Sequence, residues 1–486
     1  MTEETKISPA WIWIRSLLSF VCFSCVGIIG LEIYVDRFAW LVSPSWYRLD
    51  TDEQSVRFSC QRFRPVTFTP KPAPNTKRIL MVGGSTTFGF PHRPAGSDPI
   101  DKNIYGFVGV LSETLNTYFP KQFEVINLGI NGGGTIDTLK LLRKEKLWGA
   151  HTVIVYDGHN EFLPVPKNFT PFLWRFALYR HLSVLFPKPV ASSGWVAPSA
   201  HGSKQHHDAI LNLFRHNLQQ IIHLSRQNNA KPFLVTQASN LTGIDPNWST
   251  NGDAQELRNL SSLGDEELFQ KSYKTTKTAD LAWRVATRKR ERREWDVDAY
   301  QAALDNDGLQ LRAGTAINDA IKSVAAKESV SVIDAEAFLR PIHKTSTSPL
   351  FFDWVHPTPA GSKWIAKAVL ETLQEEEVVP KIEGNLVQTL PPTSEQTDGY
   401  LRIGQLWLQY SCVRNHDPLH RLQQAKQFAQ MVLLQDQENN TAQTLLQIID
   451  EWENPPIEIH EKQRPMFQSL HPCIADKLSP PKIDTP

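Results

Sequence analysis

The chain has 486 residues with 51 basic and 51 acidic side chains, a formal net charge of zero that removes any general electrostatic case for nucleic acid or an acidic surface as a partner. Its 41% hydrophobic content can bury a sizeable core, and its length exceeds the roughly 100–200 residues of one domain, which predicts a main domain with appendages. Five scattered cysteines, Cys22 and Cys25 lying within an apolar run, suit neither a disulfide framework nor a zinc site, so no metal is expected.

At the amino terminus, Trp11–Ile14 and Leu17–Leu31 are apolar, interrupted by Arg15 and followed by Glu32, Asp36 and Arg37. With Ile33–Val35 included, residues 1–37 reach membrane-spanning length, Arg15 snorkelling toward a headgroup. No small-x-small cleavage site follows, which favours an uncleaved single-pass signal anchor over a cleaved signal peptide or a buried helix. Lys6 and Arg15 before the segment and Arg37 and Arg48 after it leave its orientation unset by charge. The main domain is expected outside the cytoplasm, in the periplasm if the source is bacterial.

Residues 38–77, rich in aromatic side chains and proline, read as an irregular connector. Arg78–Val82 is a short apolar strand ending in Gly83-Gly84. Helical spacing of Phe107, Val110, Leu111 and Leu115 predicts a helix over Tyr105–Tyr118, followed by a strand at Phe123–Leu128, a helix at Ile136–Leu147 and a strand at Thr152–Tyr156. Asp208–Arg226 is a long amphipathic helix, Phe233–Thr236 a strand, Leu309–Ala326 a helix and Val330–Ile333 a fifth strand. Pro359–Leu373 closes the domain as a helix that begins with proline. Such alternation indicates an α/β domain over 78–375, with a parallel sheet covered on both faces and ligands bound beyond the carboxyl ends of its strands. Insertions at about 164–207 and 241–307 interrupt it, as substrate-shaping elements or as spacer. A linker at 376–397 leads to a small helical unit at 398–453 and a Pro-rich tail at 454–486. Ala425, Ala429, Asp436 and Asn439–Ala442 give that unit a faint tetratricopeptide-like pattern. One such unit cannot build a solenoid, so it reads as an accessory cap; a protein partner is its other expected role.

Four segments carry chemistry, three at strand ends and the fourth just before the closing helix. Gly83-Gly84-Ser85-Thr86-Thr87 is a glycine-rich strand-to-helix turn, which can expose a hydroxyl and aim backbone amides at a carbonyl oxygen. Asn127–Thr135 contains Gly132, Gly133 and Gly134, which permit close backbone approach to a ligand. It lacks the G-x-G-x-x-G order, and no G-x-x-x-x-G-K-[ST] occurs, so nucleotide binding is disfavoured. Asp157-Gly158-His159-Asn160-Glu161 offers a side-chain amide that can donate to an oxyanion. In Asp353-Trp354-Val355-His356, one tight turn can bring carboxylate and imidazole together. Each segment alone is as well explained by a polar turn.

Taken in order, the four segments resemble the blocks of the SGNH/GDSL hydrolase family over roughly Arg78 to Leu373. The resemblance implies a flavodoxin-like α/β/α sandwich and a serine esterase. Ser85 would be the nucleophile, His356 the general base and Asp353 its orienting partner. The oxyanion hole would be formed by Ser85, Gly132 and Asn160. Gly83-Gly84-Ser85 stands where the family has Gly-Asp-Ser, and Gly158-His159-Asn160-Glu161 where it has Gly-x-Asn-Asp; neither change removes a triad or oxyanion group. His159 and Glu161 are expected to pack behind the site. The absence of a G-x-S-x-G elbow separates the pattern from the α/β-hydrolase family. No cofactor is required. The expected substrate is an ester-bearing glycan, for which the 14 tryptophans would suit sugar stacking, or a lipid ester. Acyl transfer by the same residues and a non-catalytic membrane-tethered scaffold are the alternative roles.

Overall fold

Before the first predicted strand the chain already pairs with itself. β1 (Tyr47–Thr51), β2 (Val56–Cys60) and β3 (Val66–Phe68) form a three-stranded antiparallel sheet. This corrects the expectation of an irregular connector over 38–77. Val56, Phe58 and Cys60 alternate inward along β2, but that period lasts only five residues and is hidden among prolines and aromatics. The computed structural model describes residues 47–60, 63–93, 105–143, 147–162, 204–247, 278–308, 310–346, 349–387, 392–411 and 418–453. All belong to the unit made of Ser45–Val165 and Ser192–Pro486. The expected anchor at 1–37, the tail at 454–486 and most of the 164–207 insertion lie outside the described residues. Among the described residues no helix is long and apolar enough to cross a membrane.

β4 (Lys77–Gly83), β5 (Phe123–Gly129), β6 (Thr152–Tyr156), β7 (Lys231–Val235) and β8 (Ser331–Ile333) form one parallel sheet in the order β5-β4-β6-β7-β8. Each is a strand the sequence predicts, shifted by two residues at most. The single turn α1 (Ser85–Phe88) follows β4; α2 (Gly106–Tyr118), α3 (Thr135–Arg143), α4 (Lys204–Gln227), α5 (Ala279–Glu291), α6 (Val297–Asp305), α7 (Thr315–Glu328), α8 (Ala335–Thr345) and α9 (Pro359–Glu375) complete the domain. Numbered from β4, the strand order is 2-1-3-4-5, a doubly wound order whose switch point lies between the first and third strands, β4 and β6.

Side-chain alternation explains the two layers. Ile79, Met81, Val125, Ile154, Tyr156, Phe233 and Val235 share a core with residues of α2, α8 and α9. Leu80, Val82, Ile126, Leu128, Val153, Val155 and Leu234 are buried with the opposite parity, on the side covered by α3, α4 and α7. The helix α8 was not anticipated: Pro341 lies inside it and reads as a break, whereas Asp334 caps its start by accepting from the Ala337 amide at 3.2 Å. In the 241–307 insertion, α5 and α6 pack on each other around Leu281, Val285, Tyr300 and Leu304.

The carboxyl-terminal helices are α10 (Thr393–Ser411), α11 (Pro418–Gln435) and α12 (Asn440–Glu453). Helix α10 begins inside the expected linker at 376–397, so the connection is shorter than read. Ile403, Trp407, Leu408, Leu422, Ala425 and Ala429 share one hydrophobic core with Trp354 and Val355 of the main domain.

Candidate active site

The chain leaves β4 through Gly83 and Gly84 and enters the single turn α1, whose first residue is Ser85. Two threonines staple this turn. Thr87 Oγ1 donates to the Tyr156 carbonyl at the end of β6 (3.1 Å), and Thr86 Oγ1 donates to the Val355 carbonyl (3.3 Å). From the neighbouring strand, Asn127 Nδ2 donates to the Thr87 carbonyl at 2.7 Å. The segment 353–356 is a loop fixed by its own acid. Asp353 Oδ1 accepts from the backbone amides of Val355 (2.9 Å) and His356 (2.8 Å), and the Phe352 amide donates to the His356 carbonyl at 2.8 Å. Asn240 holds it from beneath: its backbone amide donates to the Trp354 carbonyl at 3.0 Å and its side chain to the Asp353 carbonyl at 2.9 Å.

These loops bring Ser85, His356 and Asp353 together across 271 positions of sequence. The Ser85 hydroxyl lies 2.8 Å from His356 Nε2, and His356 Nδ1 lies 2.6 Å from Asp353 Oδ2. All three side chains are buried, Asp353 most completely. Burial alone would raise the Asp353 pKa, but the His356 imidazole, the two backbone amides and the ring hydrogen bond outweigh it and hold the carboxyl below its usual range. A charged Asp353 fixes the Nδ1–H tautomer of His356, leaving Nε2 free to accept from the serine hydroxyl.

The two remaining expected site residues lie on adjoining loops. Gly132, beyond β5, takes a left-handed φ of 76°, and an added Cβ there would meet nothing within 4 Å. Its glycine therefore answers a backbone requirement, not a spatial one. Asn160, beyond β6, donates from Nδ2 to the Gly133 carbonyl at 2.8 Å, which leaves the second amide hydrogen of Nδ2 for another acceptor. That nitrogen is 3.2 Å from where a Cβ on Gly84 would stand. Gly84 has an ordinary extended conformation, so the absence of a side chain there makes room for Asn160 and the Gly133 carbonyl.

His159 and Glu161 support these loops. Glu161 accepts from the Thr135 amide (2.8 Å) and the Thr135 hydroxyl (3.1 Å), tying the Asn160 loop to the start of α3. Its pKa is raised by burial, as is that of Asp157, which also feels the Glu161 charge. His159 Nδ1 accepts from the Ala313 amide at 3.2 Å, so the ring is neutral with its proton on Nε2. Burial, then the nearby His356, push its pKa down to about 3 against the pull of Asp353. Among the described residues no three His, Cys, Asp or Glu side chains are grouped to hold a metal ion.

The sequence gives no sign of Phe90, whose ring packs 4.5 Å from the His356 ring, nor of Trp407, which reaches the same loop from α10. Among the described residues the tryptophans serve packing. Trp148, Trp354 and Trp407 are buried, and Trp283, Trp295 and Trp364 lie against core clusters, which removes them as evidence for sugar stacking.

No protein-family model and no curated protein matches the sequence. Solved structures similar to this chain include an acetylxylan esterase from Geobacillus stearothermophilus (16% identity, covering 62% of this chain and 95% of that one, TM-score 0.32). A lipase/acylhydrolase from Enterococcus faecalis (15%, 62% and 97%, TM-score 0.31) and an α/β hydrolase from the metagenome of Lake Arreo, Spain (15%, 62% and 96%, TM-score 0.32) are also similar. Likenesses at such TM-scores assign neither site nor substrate.

Proposed function

We propose that the protein is a serine ester hydrolase of the SGNH/GDSL type, with Ser85, His356 and Asp353 as its catalytic triad. The observation that carries this reading is the buried relay from Ser85 Oγ to His356 Nε2 (2.8 Å) and from His356 Nδ1 to Asp353 (2.6 Å). His356 removes the hydroxyl proton as Ser85 attacks the ester carbonyl. The backbone amides of Ser85 and Gly132 and the Asn160 side chain receive the tetrahedral oxyanion. His356 then protonates the leaving alcohol, an acyl-enzyme forms at Ser85, and water activated by His356 releases the acid. The cycle balances without a metal or cofactor. Acyl transfer differs only in replacing that water by a second alcohol.

The substrate class follows from where the site would work. A tether at residues 1–37 would hold it beside a membrane, where acylated surface glycans and lipid esters are the available substrates.

Labelling with a fluorophosphonate tests the chemistry directly. We expect covalent capture at Ser85 and hydrolysis of short acyl esters, both abolished in Ser85→Ala. Wild-type rates in that variant would overturn the reading, whereas a protein acting only as a scaffold would show no capture at all.

A further inference from the structure

We propose that the carboxyl-terminal helices are part of the catalytic apparatus, with Trp407 and Arg402 of α10 as positioning residues that hold the two loops bearing the reacting groups in register. The inference rests on the hydrolase reading above and adds a role for a segment that reading does not use.

The loop that carries Asp353 and His356 is supported from two sides. On the sheet side stands Asn240. On the other side, Trp407 Nε1 donates to the Phe352 carbonyl at 3.1 Å, and its indole lies 4.8 Å from that of Trp354, the residue next to Asp353. Arg421 of α11 covers the Trp354 ring at 5.1 Å and donates to the Asn247 side chain at 3.0 Å. Trp354, Trp407 and Arg421 are all buried. The residues between acid and base therefore share a core with Ile403, Trp407, Leu408 and Leu422, which the chain adds only after the main domain is complete, as well as with Ile244 and Leu311.

The same helix holds the loop that follows the nucleophile. Arg402 Nη1 donates to the carbonyls of Pro91 (2.6 Å) and Arg93 (3.0 Å), and its guanidinium lies 5.4 Å from the Phe63 ring. Phe90, just before the first of those carbonyls, packs on His356. One helix thus fixes the backbone behind the imidazole and the backbone beside it. Displacements of about 1 Å in a reacting geometry cost about a hundredfold in rate, so support at this position is expected to act on turnover and not only on stability.

The test compares second-order rates of fluorophosphonate labelling at Ser85, their pH dependence, and the kcat and KM of ester hydrolysis. The variants are Trp407→Phe, Trp407→Ala, Arg402→Lys and Arg402→Ala, with Leu434→Ala, at an exposed position of α11, as control. Trp407→Phe keeps an aromatic ring against Trp354 but removes the N–H donor together with part of the indole. We expect it to lower kcat about tenfold with little change in KM, to shift the pH midpoint of labelling, and to keep a cooperative unfolding transition even if at a lower midpoint. Arg402→Lys should recover part of what Arg402→Ala loses, and Leu434→Ala should behave as wild type. If Trp407→Ala fails to fold, the two conservative variants still decide. Wild-type labelling rates and pH profiles in Trp407→Phe and Arg402→Lys would overturn this proposal alone. Absence of Ser85 labelling in the wild-type chain would overturn the hydrolase reading and this one with it.

Discussion

Asp353 accepts from the His356 ring and from two backbone amides of its own turn, so its carboxylate sets both the shape of the loop and the tautomer of the imidazole. Asparagine in its place keeps the size but can turn its NH2 toward Nδ1, which puts the ring proton on Nε2, facing the serine. Asp353→Asn is expected to lower kcat by about 10⁴-fold with a modest change in KM, measured by steady-state ester hydrolysis. Asn160→Ala would remove one of the oxyanion donors proposed above and should then cost about a hundredfold in kcat. Gly84→Ala is a sharper test of the same group: its Cβ would stand 3.1 Å from the Gly133 carbonyl and 3.2 Å from Asn160 Nδ2. It should reduce kcat in the same direction by moving Asn160, as measured by the same steady-state assay. Ser85, Gly132 and Asn160 were legible as candidates because each sits in a short segment at a strand end, and Asp353 and His356 because their spacing just before the closing helix lets one turn join acid and imidazole. Phe90, Asn240, Arg402 and Trp407 were not, because each acts through a contact across a long loop and its own neighbours carry no pattern.

At the level of elements, the parallel sheet was legible because each of its strands is an apolar run bounded by turn residues, and burial on both faces leaves little alternation to misread. The antiparallel sheet at residues 47–68 was not, because five-residue strands among prolines carry too short a period. The 353–356 loop belongs to neither class. Its conformation depends on neighbours, and the Asn240 amide is the support most open to a direct measurement. Asn240→Ala leaves the buried Asp353 carbonyl and the Gly243 amide without their side-chain partner. The expected loss is about 1–3 kcal/mol of unfolding free energy, read from urea titrations, together with slower labelling of Ser85.

For the whole molecule, the junction between the main domain and the carboxyl-terminal helices contains His92, buried against Phe352 and Tyr400. Burial, and the nearby Arg402 guanidinium, push its pKa down to about 4 from an ordinary 6.5, the Glu395 backbone pulling the other way. The unfolded chain therefore binds a proton at this residue between pH 6.5 and 4 while the folded chain does not. Its contribution to stability is complete above pH 6.5 and is lost as the pH falls toward 4, by about 1.4 kcal/mol per pH unit. His92→Phe, which keeps a ring in the aromatic cluster, should make the pH dependence of unfolding free energy shallower by that amount within this window, as measured by denaturant titrations at pH 4.5, 5.5 and 6.5. The extent of this junction was hidden in sequence. The helices α10 to α12 read as an appendage because their apolar stripes do not reveal what they cover, and the partner surface, around Trp354, lies in a loop that shows no periodicity at all.

The paired indoles of Trp354 and Trp407 also give the molecule an optical signature of its own. Two such chromophores 4.8 Å apart couple their electronic transitions, so the folded chain should show an exciton couplet in its circular dichroism. Because one chromophore is flanked by the acid and base residues and the other belongs to α10, loss of the couplet would mark undocking of the helix in real time, without a substrate or a label.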